Sequence, residues 1–375
     1  MIKPMRYWAI HAALLLCGAV AAMPSAWSQI RVGQTAGHTG AVAATVKEAT
    51  EGARLYFDAV NAKGGINGQR IELISLDDKF DPKLAVANAQ ALIDQGVVAL
   101  FLNRGTPHTE AIMPLLARAQ VPLVGPSTGA MVLHQPVNPW IFNVRATYQR
   151  EAERVVRHLA LLGMTRIAIV QVDDSFGADA ATGALRGFAA LKLKPVLQEK
   201  YDRSKPDFKA IVPKLLEADA QAVLFIGSGT AAIDGMKSLR AADSRAQMVT
   251  LSNNASSGFV KALGDLARGV VVSQVFPSER SLGTPLIKEA HDMAMAKGIK
   301  ELSPAMIEGF ASAKVLVEGL RRAGKPPTRA GLQAALNGLK RFDLGGLEIS
   351  YSPANHTGLD YADLSIIGPD GRFKR

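Results

Sequence analysis

From Ile30 onward the chain alternates two periodicities. Short apolar runs read as buried strands, and each is followed by a longer stretch whose apolar positions recur at helical spacing. The first series predicts a strand over Ile30–Thr35, a loop at His38-Thr39-Gly40 and a helix over Ala43–Lys63. Glycines from Gly64 to Gly68 then turn the chain into a strand over Ile71–Asp77, because glycine supplies positive φ at no steric cost. A helix over Pro82–Asp94, a strand over Val97–Leu102, a helix over Pro107–Ala119 and a strand over Val121–Gly125 complete it, with Thr106 read as the cap before Pro107.

A second series opens with a helix over Tyr148–Leu162. Strands at Ile167–Val172, Val196–Tyr201, Ala222–Gly227, Met248–Ser252 and Gly269–Gln274 alternate with helices. Strands separated by helices of this length mean parallel βαβ units with right-handed crossovers, so the chain reads as two doubly wound α/β halves. Helices at about 284–297, 303–323 and 328–338 follow. The end is β-rich, with strands at Leu347–Tyr351 and Leu364–Ile367 and a hairpin signal at Asp370-Gly371. Ligands of open α/β sheets bind beyond the carboxyl ends of the strands, so the strand-to-helix junctions are where function is sought.

Composition narrows the class. At 375 residues the length suits two domains, and 48% hydrophobic content rules out a disordered chain. Lys3 and Arg6 precede an apolar run over Tyr7–Ala22, Pro24 and the small residues Ala26 and Ser28. This is the pattern of an export leader cleaved after Ser28, placing the mature chain, from Gln29, outside the cytoplasm. The single cysteine, Cys17, falls inside that leader, so no disulfide, zinc-thiolate or thiol-nucleophile chemistry is expected. The net charge of +10 becomes +8 without Lys3 and Arg6, and the basic residues are scattered among acids without stacking aromatics. That distribution does not suit nucleic acid.

Several motifs mimic enzymes. Gly125-Pro126-Ser127-Thr128-Gly129 has the nucleophile-elbow spacing, but no long helix follows and no downstream histidine stands in a triad context. The Walker-like spacing from Gly319 to Lys325 ends in Pro326, where a hydroxyl is required, and follows a helix. Asp77-Asp78 with Asp81 lacks the second carboxylate cluster a hard cation would want. More informative are the hydroxyl and small residues at successive junctions: Gly105-Thr106, Ser127-Thr128-Gly129, Asp174 to Gly177, Gly227 to Thr230 and Asn253 to Ser256. Helix amino ends and hydroxyls attract carboxylates, and Arg104 adds a cationic clamp.

The stretch Asn61-Ala62-Lys63-Gly64-Gly65-Ile66-Asn67-Gly68, followed by Leu76-Asp77-Asp78 and Asp81-Pro82, resembles the periplasmic leucine/isoleucine/valine-binding proteins. Phe142-Asn143-Val144-Arg145, Asp174-Ser175-Phe176-Gly177, Glu308-Gly309-Phe310 and Asp343-Leu344-Gly345-Gly346 continue the likeness in register. The resemblance implies a type I periplasmic binding protein fold: two doubly wound lobes joined by a three-segment hinge, with the ligand cleft between them. It divides the chain into a leader (1–28), a first lobe (29–147 with 277–351) and a second lobe (148–276 with 352–375). It implies a non-enzymatic receptor that delivers a small carboxylate-bearing solute to the membrane permease of an ABC importer. A sensor subunit, or a secreted hydrolase using Ser127, are the alternatives. No cofactor, metal or nucleic acid is expected, and the protein is expected to be a monomer.

Carried over position by position, the resemblance implies carboxylate anchors at Thr106, Ser127 and Gly129, joined by Thr128, with Phe176 flanking the ligand. Arg104, Ser228 and Asn253 are expected to set specificity. Ser228 stands where the family has tyrosine, and Asn253 where it has the acid that pairs with an α-ammonium. A neutral asparagine cannot balance a desolvated ammonium. The ligand class therefore extends from branched-chain and other amino acids to organic and aromatic acids.

Overall fold

The computed structural model describes residues 29–375. The expected leader lies outside them. No helix among the described residues is long and apolar enough to cross a membrane.

The two series fold into two sheets of the same design. In the first, β1 (Ile30–Ala36), β2 (Ile71–Asp77), β3 (Ala99–Phe101), β4 (Leu123–Val124) and β5 (Ile141–Phe142) lie in the order β2-β1-β3-β4-β5, all parallel. The second has β6 (Ile167–Val172), β7 (Leu197–Tyr201), β8 (Ala222–Ile226), β9 (Gln247–Thr250) and β10 (Val271–Gln274) in the order β7-β6-β8-β9-β10, also parallel. All six residues of β6 are buried, as a parallel strand covered by helices on both faces must be. Two antiparallel strands, β13 (Asp363–Ile367) and β14 (Phe373–Lys374), extend this sheet beyond β10 and enclose the hairpin expected at Asp370-Gly371. A small ribbon of β11 (Phe342–Asp343) and β12 (Glu348–Ile349) stands apart.

The helices follow the apolar spacing. In the first lobe they are α1 (Ala43–Ala62), α2 (Pro82–Asp94) and α3 (Thr106–Ala119). The second carries α4 (Tyr148–Leu161), α5 (Ser175–Ala190), α6 (Phe208–Glu217), α7 (Thr230–Ala241) and α8 (Ser257–Leu263). After β10 come α9 (Pro285–Ala296), α10 (Pro304–Arg322) and α11 (Arg329–Asn337), which pack back on the first core. There α1 and α10 touch backbone to backbone. A Cβ on Gly52 would lie 1.9 Å from the Met306 carbonyl oxygen, and one on Gly309 would lie 1.8 Å from that of Ala49.

Each lobe has its own apolar core, one around Phe101 and Phe310, the other around Ile169 and Phe225. The chain passes between them after β5, after β10 and before β13. Residues 352–359 still run along the first lobe: Asn143 donates to the His356 carbonyl (3.0 Å), Leu359 donates to the Val144 carbonyl (3.0 Å), and Leu359 is buried in the first core. In both sheets the strand order reverses beside the first strand of the series. The loops leaving β1 and β3, and those leaving β6 and β8, thereby border one cleft.

Candidate functional site

In the first lobe two junctions run side by side. Leu102, at φ 51°, turns the chain out of β3 so that Arg104 pairs in a parallel bridge with Ser127 beyond β4. Arg104 Nη1 donates to Ser127 Oγ at 3.0 Å, and the hydroxyls of Thr106 and Thr128 share a bond of 2.7 Å. Thr106 was expected to cap α3, but Gly105, at φ 97°, takes that position without a side-chain cap. The Thr106 hydroxyl reaches across to Thr128 instead. Gly129 faces the first crossing between lobes: it accepts from the Tyr148 amide at 2.8 Å, and a Cβ there would lie 2.6 Å from the Ala146 carbonyl oxygen.

The second lobe contributes the junctions after β6, β8 and β9. Asp174 caps α5, accepting from the amides of Phe176 (3.0 Å) and Gly177 (3.1 Å), and it pairs with Arg203. The cap fixes Phe176 so that its ring packs edge-on against Tyr148, with centroids 4.7 Å apart. Asn253 Nδ2 donates to the Gly227 carbonyl (2.9 Å) and to Ser228 Oγ (3.1 Å). The buried Asn253 Oδ1 meets no hydrogen-bond partner.

The two lobes are closed on one another. Arg104 Nη2 donates to the Asn253 carbonyl at 2.5 Å. Glu48 of α1 accepts from the amides of Ser257 (3.0 Å) and Gly258 (2.8 Å), and Thr45 bonds Ser256 at 3.0 Å. The Thr230 amide reaches the Ala41 carbonyl at 3.3 Å. Of the expected residues, Arg104, Ser127, Thr106, Thr128, Ser228 and Asn253 thus form linked or adjoining hydrogen-bonded groups at the cleft, whereas Gly129 and Phe176 pack toward Tyr148 at the crossing. Beside Arg104, Ser127 and Gln34 remains a cavity of about 10 Å³, room for the centre of about one water. Farther out, a cavity of about 650 Å³ opens between Phe80 and His108 on one side and Tyr201 and Arg203 on the other.

Electrostatics distinguish two buried guanidiniums. Arg145, on the first crossing, pairs with Glu151, donates to Ser252 Oγ at 2.7 Å, lies 3.8 Å from Glu308 and stacks over the Tyr148 ring at 4.6 Å. Burial pulls its pKa down, but Glu151, Tyr148 and Glu308 hold it above the ordinary arginine value. Arg104 is 3% exposed and has no carboxylate within 4.0 Å among the described residues. Burial therefore lowers its pKa, against weaker support from Tyr148 and Glu308. A buried cation held only by a hydroxyl and a carbonyl has capacity left for an anion. The same contact argues against an activated Ser127. Its hydroxyl faces a guanidinium, which cannot take a proton, whereas a nucleophile needs a base there.

Sequence reasoning missed the Arg145–Glu151–Glu308 group as a unit. Glu151 and Glu308 sit inside amphipathic helices, and only their inward placement at the crossing could have revealed the pairing. The carboxylates of Asp77, Asp78 and Asp81 are engaged locally, accepting from Thr39 and Lys79, from Thr35 and Phe80, and from Lys83.

The chain resembles known proteins over nearly its whole described length. The periplasmic binding protein family model matches residues 29–364. Over 338 residues, 88% of each chain, it is 25% identical to the Leu/Ile/Val-binding protein homolog 3 of Brucella melitensis. It is 30% identical to an amino acid binding protein of Pseudomonas aeruginosa over 211 residues, a match spanning about half the length of either chain (54%). A substrate-binding periplasmic protein from Ralstonia solanacearum superposes with a TM-score of 0.85 at 34% identity, covering 92% of this chain and 99% of that one. With two facing doubly wound lobes and a polar cleft between them, the chain belongs to the periplasmic binding protein family.

Proposed function

We propose that this protein is the substrate-binding component of an ABC importer, taking up a small carboxylate-bearing solute between its lobes and presenting the closed form to a membrane permease. The observation that carries the ligand class is Arg104, a buried guanidinium without a carboxylate partner at the meeting point of the lobes. A ligand carboxylate replacing the Asn253 carbonyl would give this arginine the paired acceptors its fork geometry favours. Ser127, Thr106 and Thr128 lie alongside as hydroxyl partners. The polar group contains no acid aimed at an ammonium, and Asn253 offers only a neutral oxygen, which favours organic and aromatic acids over amino acids. Charge-assisted hydrogen bonds contribute about 1.5–3 kcal/mol each, so three or four suffice for roughly micromolar binding after closure takes its share.

The reading is tested by thermal shift of the chain from Gln29 against amino acids, aromatic acids and aliphatic mono- and dicarboxylates. Ligand at 100 times its Kd stabilises by about 2.7 kcal/mol, a shift of several degrees. Shifts confined to ammonium-free acids are the expected result. Shifts with amino acids alone would mean that the cleft supplies the counter-charge that the neutral Asn253 lacks. Silence across the panel would overturn the carboxylate reading.

A further inference from the structure

The closed cleft leaves almost no room beside Arg104, yet about 650 Å³ stays open a few residues farther out. That volume lies in the range of small-molecule sites. Its walls come from both lobes: Phe80, Pro107 and His108 from the first, Tyr201 and Arg203 from the second. Phe80 and His108 stack nearly parallel, with centroids 4.3 Å apart and an interplanar angle of 18°. The Arg203 guanidinium reaches from the other lobe to 5.0 Å from the Phe80 centroid.

Two features suggest that these walls are held in place at a cost. Lys79 and Phe80, consecutive in the chain, both adopt left-handed backbone conformations, φ 51° and 61°, which cost free energy for residues carrying a side chain. The Asp77 and Asp78 carboxylates hold them there by accepting from the amides of Lys79 and Phe80, each at 2.9 Å. Glycines also clear space for the rings. A Cβ on Gly105 would lie 2.6 Å from His108 Nδ1 and 2.9 Å from Phe80 Cε2, and one on Gly227 would lie 2.2 Å from Tyr201 Oη.

Most charged groups around the cavity are engaged, four carboxylates facing three cations. Asp81 caps α2, Asp173 pairs with Lys200, Asp174 with Arg203, and Asp202 holds Ser204. What remains to recognise a ligand, besides the exposed Lys79 ammonium at the rim, is aromatic surface, together with buried polar atoms that make no hydrogen bond of normal geometry: both His108 ring nitrogens and Tyr201 Oη. We infer that this interlobe cavity is a binding chamber for the flat, uncharged ring of an aromatic ligand, read by edge-to-face contact at the Phe80–His108 wall and by the Arg203 guanidinium. The inference rests on the proposed solute-binding role and names the part of the ligand that lies away from the carboxylate.

The test compares benzoate and trans-cinnamate with cyclohexanecarboxylate and 3-cyclohexylpropanoate, and with the neutral amides benzamide and cinnamamide. Affinities are measured by calorimetry on the wild-type chain from Gln29, on Phe80→Leu, which keeps apolar bulk but removes the π face, and on Tyr201→Phe. Planar rings are expected to bind roughly three- to tenfold more tightly than saturated ones, with Phe80→Leu abolishing that preference. Weaker closure alone would lower both affinities and leave their ratio intact. Equal affinity for flat and saturated rings, an unchanged ratio in Phe80→Leu, or no binding of any aromatic probe would overturn the chamber. Amides binding with the Phe80 dependence while acids do not would uphold it and overturn the carboxylate reading instead.

Discussion

Arg104 and Asn253, on opposite lobes, are joined by a guanidinium-to-carbonyl bond of 2.5 Å, so the closed form already contains a stand-in for a ligand's oxygen. An incoming acid has to take that place. Arg104→Gln is therefore expected to weaken acid binding by roughly ten- to a hundredfold, corresponding to about 1.5–3 kcal/mol for a charge-assisted bond. Arg104→Lys should rescue only part of the loss, because an ammonium lacks the planar fork. Calorimetry on both variants checks this; wild-type affinity in Arg104→Gln would remove Arg104 from the site.

Closure itself is open to a steric test. Gly229 sits at φ 54°, and a Cβ there would lie 1.7 Å from the Ala41 carbonyl oxygen across the cleft. Gly229→Ala should leave both cores folded while holding the lobes apart. Small-angle scattering should give a larger radius of gyration than wild type, with no compaction when ligand is added. A wild-type radius would show that the contact yields at little cost.

The ionic group at the first crossing concerns stability more than recognition. Glu151→Gln leaves Arg145 buried without its main partner, a loss of about 3–5 kcal/mol. Arg145→Met combined with Glu151→Leu should cost markedly less than the sum of the single changes, since neither charge is then stranded. Urea denaturation of Glu151→Gln, of the two single changes and of the double variant measures the difference.

Acid should loosen the fold over a defined window. Burial pushes His108 and His134 from 6.5 down to about 4, with Arg145 adding to the effect at His134. His38 and His356 shift the same way, also chiefly through burial. Below pH 6.5 the unfolded chain binds protons these imidazoles refuse, so stability falls as pH drops toward 4. Asp78 opposes this. Burial raises it from 3.8 to about 6 despite bonds from Phe80 and Thr35, so the folded form holds the extra proton there. Asp179 and Glu279, also raised chiefly by burial, act with Asp78, whereas His38 and His356 act with His108 and His134. The large downward shifts of the two buried imidazoles make the net change between pH 6.5 and 4 a loss of stability. Urea midpoints should trace that slope, and His134→Gln should flatten it.

Most of the architecture was legible because it follows from periodicity. Helix α2 and strands β2 and β6 begin and end where the apolar pattern places them. Strand β5 escaped notice because two residues, Ile141 and Phe142, leave too short a pattern to register. The junction residues were legible as a set, since each polar group follows a strand. Their bonding was not. Nothing in the sequence says that the Thr106 hydroxyl meets Thr128 rather than capping its helix, or that Arg104 crosses to the opposite lobe. Such pairings depend on how far apart the two sheets come to rest. The aromatic wall was hidden for a related reason: Phe80 lies in the loop after β2 and His108 in the first turn of α3, and they meet only once Gly105 clears the space between them.

The close approach of α1 and α10 at Gly52 and Gly309 also sets a timetable. A chain made and released from its amino end carries α1 long before α10 exists, and the intervening residues include the whole parallel series of the second sheet. Until α10 arrives, α1 has no partner for its face at Gly52, so the first lobe to be synthesised is not the first that can be finished. Strand β1 finds β2 and β3 early, but most of the molecule must be present before α1 meets the helix that covers it.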